Sequence, residues 1–153
     1  MGRNRTRIAR FLNDSALEDR AALLDALDDW LERLRQINQT VPILVEGLND
    51  IKALRKLGIN GEIIHLHMGN VSIYERVKWM EARYPQVILL LDADPRGRHL
   101  RRRVIRYLES DWETYDEFRQ ELERLVGEFI RHIEDLARFY EHLYITVHYP
   151  RKK

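Results

Sequence analysis

Val41-Pro42-Ile43-Leu44-Val45-Glu46-Gly47-Leu48-Asn49-Asp50 and Val87-Ile88-Leu89-Leu90-Leu91-Asp92-Ala93-Asp94-Pro95-Arg96-Gly97 decide the reading of this chain. Each is an apolar, β-branched-rich run that stops abruptly at acidic residues. A buried strand reads this way when it ends at a sheet edge and delivers side chains there. Carboxylates gathered at the ends of two strands repel one another, and a bound divalent cation is the usual offset.

Working outward, strands are predicted over residues 41–46, 62–67 and 87–91, and helices over 50–57, 72–83 and 98–109. Gly58 should stop the first of these helices. Strands alternating with helices imply an α/β fold, with helices on both faces of a central, mainly parallel sheet of about four strands and right-handed crossovers. Such sheets place their sites outside the carboxyl ends of the strands, where Glu46 and Asp92 fall.

The flanks are read in the same way. Residues 1–14 carry Arg3, Arg5, Arg7 and Arg10 and are expected to be a flexible basic start. Ser15-Ala16-Leu17-Glu18 has the form of a capping box. It opens an amphipathic helix over residues 15–36 with Leu17, Leu24, Leu27, Leu31 and Leu34 at helical spacing. This N-terminal unit, residues 15–40, should pack on a domain spanning 41–145, followed by a basic tail over 146–153. Thr114-Tyr115-Asp116-Glu117 reads as a second capping box, with a helix to Val126 ended by Gly127. Residues 129–133 read as the fourth strand and 135–142 as a last helix. One continuous helix over 115–142 fits the same periodicity, and residues 143–149 have strand character.

Composition bounds the rest. At 153 residues with 44% hydrophobic content, one domain with one core is expected. Cysteine is absent, which excludes a disulfide framework and thiolate metal ligands. The 26 basic and 25 acidic residues nearly cancel, so net charge says nothing about partners while its clustering does. No apolar run has the length of a membrane span and no signal-peptide core follows the basic start. A cytoplasmic protein with no membrane partner is therefore expected.

The order strand-Glu46-Gly47-x-x-Asp50-helix-Gly58, then strand-Asp92-x-Asp94-x-x-Gly97-helix, resembles the Toprim domain shared by topoisomerases, bacterial primases, certain nucleases and small stand-alone bacterial and archaeal proteins. The likeness covers residues 41–110. The larger relatives' additional domains and the further acidic cluster of primases have no clear counterpart, so the small relatives are the better comparison. The resemblance implies a general acid or base at Glu46 and Mg²⁺, or Mn²⁺, held by Asp92 and Asp94 with Glu46 beside them. Asp50, Gly47 and Gly97 would support that site from behind. Two competing local readings stand: Asp94 before Pro95 is also a natural helix N-cap, and Asp50 a helix cap. Hard oxygen ligands in small number suit Mg²⁺, which keeps several waters for a substrate phosphate to displace.

A second feature follows the second motif. Arg96, Arg98, His99, Arg101, Arg102, Arg103 and Arg106 make a basic helix in which Arg98, Arg102 and Arg106 share a face by i,i+4 spacing. Arginine forks match phosphate oxygens, so Arg96, Arg98, Arg102 and Arg106 are candidate contacts to a nucleic-acid backbone, DNA or RNA. The bland alternative is a solvated face paired with Glu109, Asp111 and Glu113. His65, His67, His132, His142 and His148 have no convincing metal-ligand spacing, and the tryptophans read as packing. The expected function is Mg²⁺-dependent chemistry on nucleic-acid phosphodiesters, as a nuclease or a nucleotidyl transferase. The alternative is a non-catalytic nucleic-acid-binding or adaptor module that keeps the same site. A protein partner or a homo-oligomer is left open.

Overall fold

The structure, a computed structural model, describes residues 2–109 and 113–151. At its centre lie four strands, β1 (Ile43–Val45), β2 (Ile63–His65), β3 (Gln86–Leu89) and β4 (Glu113–Tyr115), in the order β2-β1-β3-β4. Every pairing is parallel, with Ile43 opposite Ile63 and Ile88, and Val87 opposite Thr114. The continuous apolar runs of β1 and β3 have their explanation here, because both faces of these central strands are covered.

Side-chain alternation sends the two faces into two cores. Ile43, Val45, Ile88 and Leu90 enter one core with α2 (Leu17–Asn38), α3 (Leu48–Lys56), α6 (Glu117–Val126) and α7 (Leu136–His148). Leu44, Val87, Leu89 and Leu91 enter the other with Val77 and Met80 of α4 (Ile73–Glu81) and Leu100 and Val104 of α5 (Pro95–Tyr107). Trp30 of α2 is fully buried and donates its indole N–H to the Phe118 carbonyl at 2.9 Å, locking α2 to α6. Asn38 ties α2 to the sheet. Its amide donates to the Val41 and Glu62 carbonyls at 3.0 Å each, and its oxygen accepts from Gly61 N–H at 2.8 Å.

The predicted elements at residues 41–109 are present with shorter strands, and Gly58 ends α3 at φ +83° as expected. The flanks differ. Within residues 1–14, expected to be flexible, the described Gly2–Asp14 form helix α1, because Ile8, Phe11 and Leu12 make an apolar stripe at helical spacing. Phe11 meets the Phe129 ring with centroids 4.8 Å apart. The Ser15 capping box does not form: the N-cap is Ala16, and the Ser15 hydroxyl donates back to the Phe11 carbonyl at the end of α1.

The fourth strand is residues 113–115, not 129–133. The apolar character of Phe129, Ile130 and Ile133 comes from plugging the first core, with Phe129 stacked on Phe139 at 5.4 Å, and not from sheet pairing. Residues 115–142 are therefore neither one helix nor helix–strand–helix. Helix α6 ends at Val126, an irregular stretch leads to a 3₁₀ turn (Ile133–Asp135), and α7 follows. Asp116, not Thr114, is the N-cap position of α6. Residues 143–148, expected to be strand-like, continue α7 because Leu136, Phe139 and Leu143 extend one buried helical stripe. Asp111, Trp112, Lys152 and Lys153 lie outside the described residues.

Candidate metal and phosphate site

The strand order reverses direction between β1 and β3. From β1 the chain crosses through α3 to β2 on one side, then through α4 to β3 on the other. A crevice opens at such a point beyond the carboxyl ends of the strands. Glu46 follows β1 directly and is 8% exposed. The ladder continues past β3 through Leu90 N–H to the Leu44 carbonyl at 2.9 Å. The Asp92 backbone N–H then approaches Glu46 Oε1 at 3.4 Å. The two motifs, far apart in the chain, thus end side by side. They line an open cleft of about 320 Å³ with Asp50, Asp94, Arg96, His132 and Glu134.

Asp94 serves two partners. Its Oδ1 accepts from Gly97 N–H at 2.6 Å and caps α5, while its Oδ2 lies 3.0 Å from His132 Nε2. Asp92 Oδ1 accepts from Ile133 N–H at 3.0 Å. The Ala93 N–H donates to the Arg131 carbonyl at 2.7 Å. The irregular stretch before the 3₁₀ turn is thereby stitched to the Asp92–Asp94 loop. Asp92, Asp94 and His132 each present a ligand-capable atom, all within 4.8 Å of one another. Glu46 is not a member of that trio. It borders it through the Asp92 backbone contact.

Burial raises the proton affinity of Glu46, against the Asp92 N–H that favours its anion, and the Asp50 charge adds to the rise. Asp92 is pushed up to about 7, chiefly by burial. The Ile133 N–H and His132 oppose the shift, and the Glu46 and Asp50 charges reinforce it. Asp94 goes the other way. Burial works against its anion, but the Gly97 N–H and His132 hold it below the usual carboxylate range. For His132, burial favours the neutral ring, yet Asp92 and Asp94 outweigh it and hold the proton on. One site therefore contains carboxyls displaced in opposite directions.

Asp50 is 6% exposed and accepts the Gly47 N–H at 3.0 Å, so it caps the start of α3 from within the cleft wall. Gly97 earns its place sterically, because a Cβ there would lie 2.1 Å from the Asp92 carbonyl oxygen. Gly47 does not: nothing lies within 4 Å of the position its Cβ would take, and its backbone is extended. Of these two glycines, close backbone approach requires the one at Gly97 and not the one at Gly47.

Arg96 is exposed at the cleft and its charge favours the anions of Glu46 and Asp94. Arg98, Arg102 and Arg106 are exposed along α5, with Arg98 donating to the Ala93 carbonyl at 3.1 Å. Glu109, suggested as a partner for this face, pairs instead with Lys78 at 3.3 Å. Arg101 turns away to a bidentate pair with Asp116, at 3.1 and 2.5 Å. His132 and Glu134 are among the cleft residues that sequence reasoning left unassigned, with His67 at its margin. The signal for His132 and Glu134 is a pair of polar residues set into the apolar run Phe129–Ile133 and just after it.

A family model of the Toprim domain matches residues 41–125. A UPF0292 protein from Thermococcus onnurineus is 35% identical over 114 residues, covering 74% of this chain and 82% of that protein. Another from Thermoplasma volcanium is 41% identical over 78 residues, covering 51% of this chain and 65% of the relative. A solved structure of a protein from Aquifex aeolicus aligns with a TM-score of 0.60 at 33% identity, over 71% of this chain and 96% of that one.

Proposed function

This chain belongs to the Toprim family, and from that premise we propose that it is a cytoplasmic, divalent-metal-dependent protein that acts on nucleic-acid phosphodiesters, in its simplest form a nuclease. The observation that carries the reading is the meeting of Glu46 with the Asp92–Asp94 loop at the switch point of the sheet, where a basic helix begins.

The donor chemistry fits a hard cation such as Mg²⁺ or Mn²⁺. Asp92 and Asp94 offer carboxylate oxygens, with Glu46 beside them, and Asp92 is unstable as an anion in its buried, acidic setting. An added positive charge offsets that instability. When bound, such an ion supplies Lewis-acid stabilisation of charge on a phosphoryl oxygen.

The chain's own residues supply the rest. Asp94 is fixed by the Gly97 N–H and Asp92 by the Ile133 N–H, so both carboxylates are oriented before any ligand arrives. Glu46 has its proton affinity raised by burial and exchanges a proton at its carboxylate with the attacking or leaving oxygen. Arg96 stands at the cleft for a phosphate oxygen, and Arg98, Arg102 and Arg106 extend the track along α5.

A cleavage assay on single- and double-stranded DNA and RNA, with Mg²⁺, Mn²⁺ or EDTA, tests this. Metal-dependent cleavage should fall by about 10²–10⁴-fold in Glu46→Gln, the usual worth of a positioned proton-transfer group. It should fall comparably in Asp92→Asn. Tight binding with no cleavage under any metal would select the adaptor reading. Absence of both binding and cleavage would remove the nucleic-acid reading.

A further inference from the structure

We propose that His132 is a third protein ligand of the metal, and that its imidazole makes the site prefer a first-row transition ion such as Mn²⁺ over Mg²⁺. The inference rests on the metal-site reading above and adds to it a residue and a selectivity.

The spacing is the first argument. With metal–ligand bonds of about 2.1 Å, ligands on adjacent corners of an octahedron lie about 3.0 Å apart. His132 Nε2 and Asp94 Oδ2 are 3.0 Å apart. The trio of ligand atoms from Asp92, Asp94 and His132 falls within 4.8 Å, close to the span of about 4.2 Å between opposite corners. The Asp94–His132 pair already has the adjacent-corner spacing, and Asp92 presents its ligand atom beside them.

The second argument is the other ring nitrogen. His132 Nδ1 faces Asp135 Oδ2 at 3.5 Å. A metal-bound histidine almost always presents its second nitrogen to a carboxylate, carbonyl or water, which sets the ring's orientation and raises its donor strength. Asp94, His132 and Asp135 already stand in that order, with the Asp135 carboxylate at ion-pair distance from Nδ1, one residue before α7.

The third argument is anchoring. Arg131 and Ile133, the neighbours of His132, are each hydrogen-bonded to the Asp92–Asp94 loop, at 2.7 and 3.0 Å. The imidazole is therefore held over the two aspartates from both sides of its own residue. A histidine that merely decorated the surface would not need its flanks tied to the same loop. Its side chain is 46% exposed, so an ion in solution reaches it.

Selectivity follows from ligand type. Mg²⁺ takes hard oxygen ligands and holds its waters, so an imidazole adds little to its binding. First-row transition ions gain from a nitrogen donor. Replacing His132 should therefore separate the two ions.

The test uses the whole chain with Mn²⁺ and Mg²⁺ as probes. Pulsed electron paramagnetic resonance on the Mn²⁺-loaded wild type should show coupling to a histidine nitrogen. The coupling should persist in His67→Gln, since His67 is the other histidine lining the cleft, and vanish in His132→Gln. Calorimetric titration should show Mn²⁺ affinity falling at least about tenfold in His132→Gln, a loss seen even when a group one shell further out is removed. Mg²⁺ affinity should change far less. Mn²⁺ binding without nitrogen coupling, or equal losses for both ions, would overturn the role of His132 while leaving the carboxylate site standing. No binding of either ion to the wild type would remove the site and this inference together. If His132→Gln does not fold, the wild-type and His67→Gln spectra decide: coupling present in both supports His132, and coupling absent from either overturns it.

Discussion

Ile133 donates its backbone N–H to Asp92 Oδ1 at 3.0 Å, across 41 residues of chain. That bond is the main local support for an Asp92 anion that burial and the Glu46 and Asp50 charges otherwise disfavour. The balance leaves Asp92 at about 7, with Glu46, Asp50 and His132 also raised.

Each of these groups holds its proton more tightly folded than unfolded. Stability of the metal-free protein should therefore fall as pH rises from the ordinary carboxylate range through about 7, with His132 extending the fall above its usual 6.5. Asp94, held low, acts in the opposite direction, but only at more acidic pH. Thermal melts in EDTA between pH 5 and 8.5 should show a declining Tm. Asp92→Asn should raise the Tm at pH 8 and flatten the profile, because the amide oxygen still accepts the Ile133 N–H without carrying charge. A Tm that rises with pH, or a destabilised Asp92→Asn at pH 8, would contradict the electrostatic account.

The carboxylates at residues 46, 92 and 94 were legible because their signal is local. An apolar run that ends in acid marks a strand end, whatever surrounds it. β4 carried no such signal. Glu113–Tyr115 has no apolar run and is a strand only because Gln86–Ile88 offers it a parallel edge. His132 was illegible for a related reason: its place is set by the return of the chain between α6 and α7, which no short window encodes. The Phe129–Ile133 run reads as a strand, but Phe129, Ile130 and Ile133 plug the core without pairing, since apolar character alone does not distinguish a plug from a ladder. In α1 the apolar stripe of Ile8, Phe11 and Leu12 is interleaved with arginines, so charge dominates its composition while its spacing remains helical.

The two site glycines should respond differently to alanine. At Gly97 a new Cβ meets the Asp92 carbonyl oxygen at 2.1 Å and its carbon at 2.7 Å, backbone atoms of the loop that carries the metal ligands. Gly97→Ala should cost about 1–3 kcal/mol, the range for overpacking. It should also lower metal affinity by displacing that loop. Gly47→Ala has open space and an extended backbone, so its stability should stay within about 0.5 kcal/mol of wild type. Denaturant titration paired with metal calorimetry measures both, and equal tolerance at the two positions would refute the steric argument.

Asn38 offers a contrast between fold and site. It joins the end of α2 to the residues that lead into β1 and β2, through three hydrogen bonds at 2.8–3.0 Å. Asn38→Ala strands the Val41 carbonyl and the Gly61 N–H, while the Glu62 carbonyl keeps the Ile43 N–H at 3.0 Å. A loss of about 2–5 kcal/mol is expected from leaving such groups unsatisfied. These contacts lie at the opposite ends of the strands from the acidic cleft. Metal affinity measured well below the melting transition should therefore be unchanged. A variant that lost metal binding while remaining fully folded would show that the two strand ends are coupled.

The arginines of α5 divide by their partners, and the division is testable. Arg98, Arg102 and Arg106 are exposed, whereas Arg101 grips Asp116 in a fork that Arg119 shares from the other side at 3.0 Å. Burial works against the Asp116 anion, yet Arg119 and Arg101 hold it below the ordinary carboxylate range. Reversing Arg98, Arg102 and Arg106 to Glu should weaken nucleic-acid binding with little change in Tm. Each phosphate neutralised on duplex DNA contributes a log–log salt slope of about −0.9. The triple variant should thus bind with a slope shallower by roughly two to three units. Sequence preference should stay slight, because backbone contacts position a protein without reading bases. Arg101→Ala should do the reverse, lowering Tm by releasing a partly buried Asp116 while leaving the salt slope in place. Binding titrations at several salt concentrations, run beside thermal melts, separate the two behaviours. An unchanged slope in the triple variant would return this face to ordinary solvated charge, and a wild type that binds no nucleic acid would end the phosphate reading of α5 altogether.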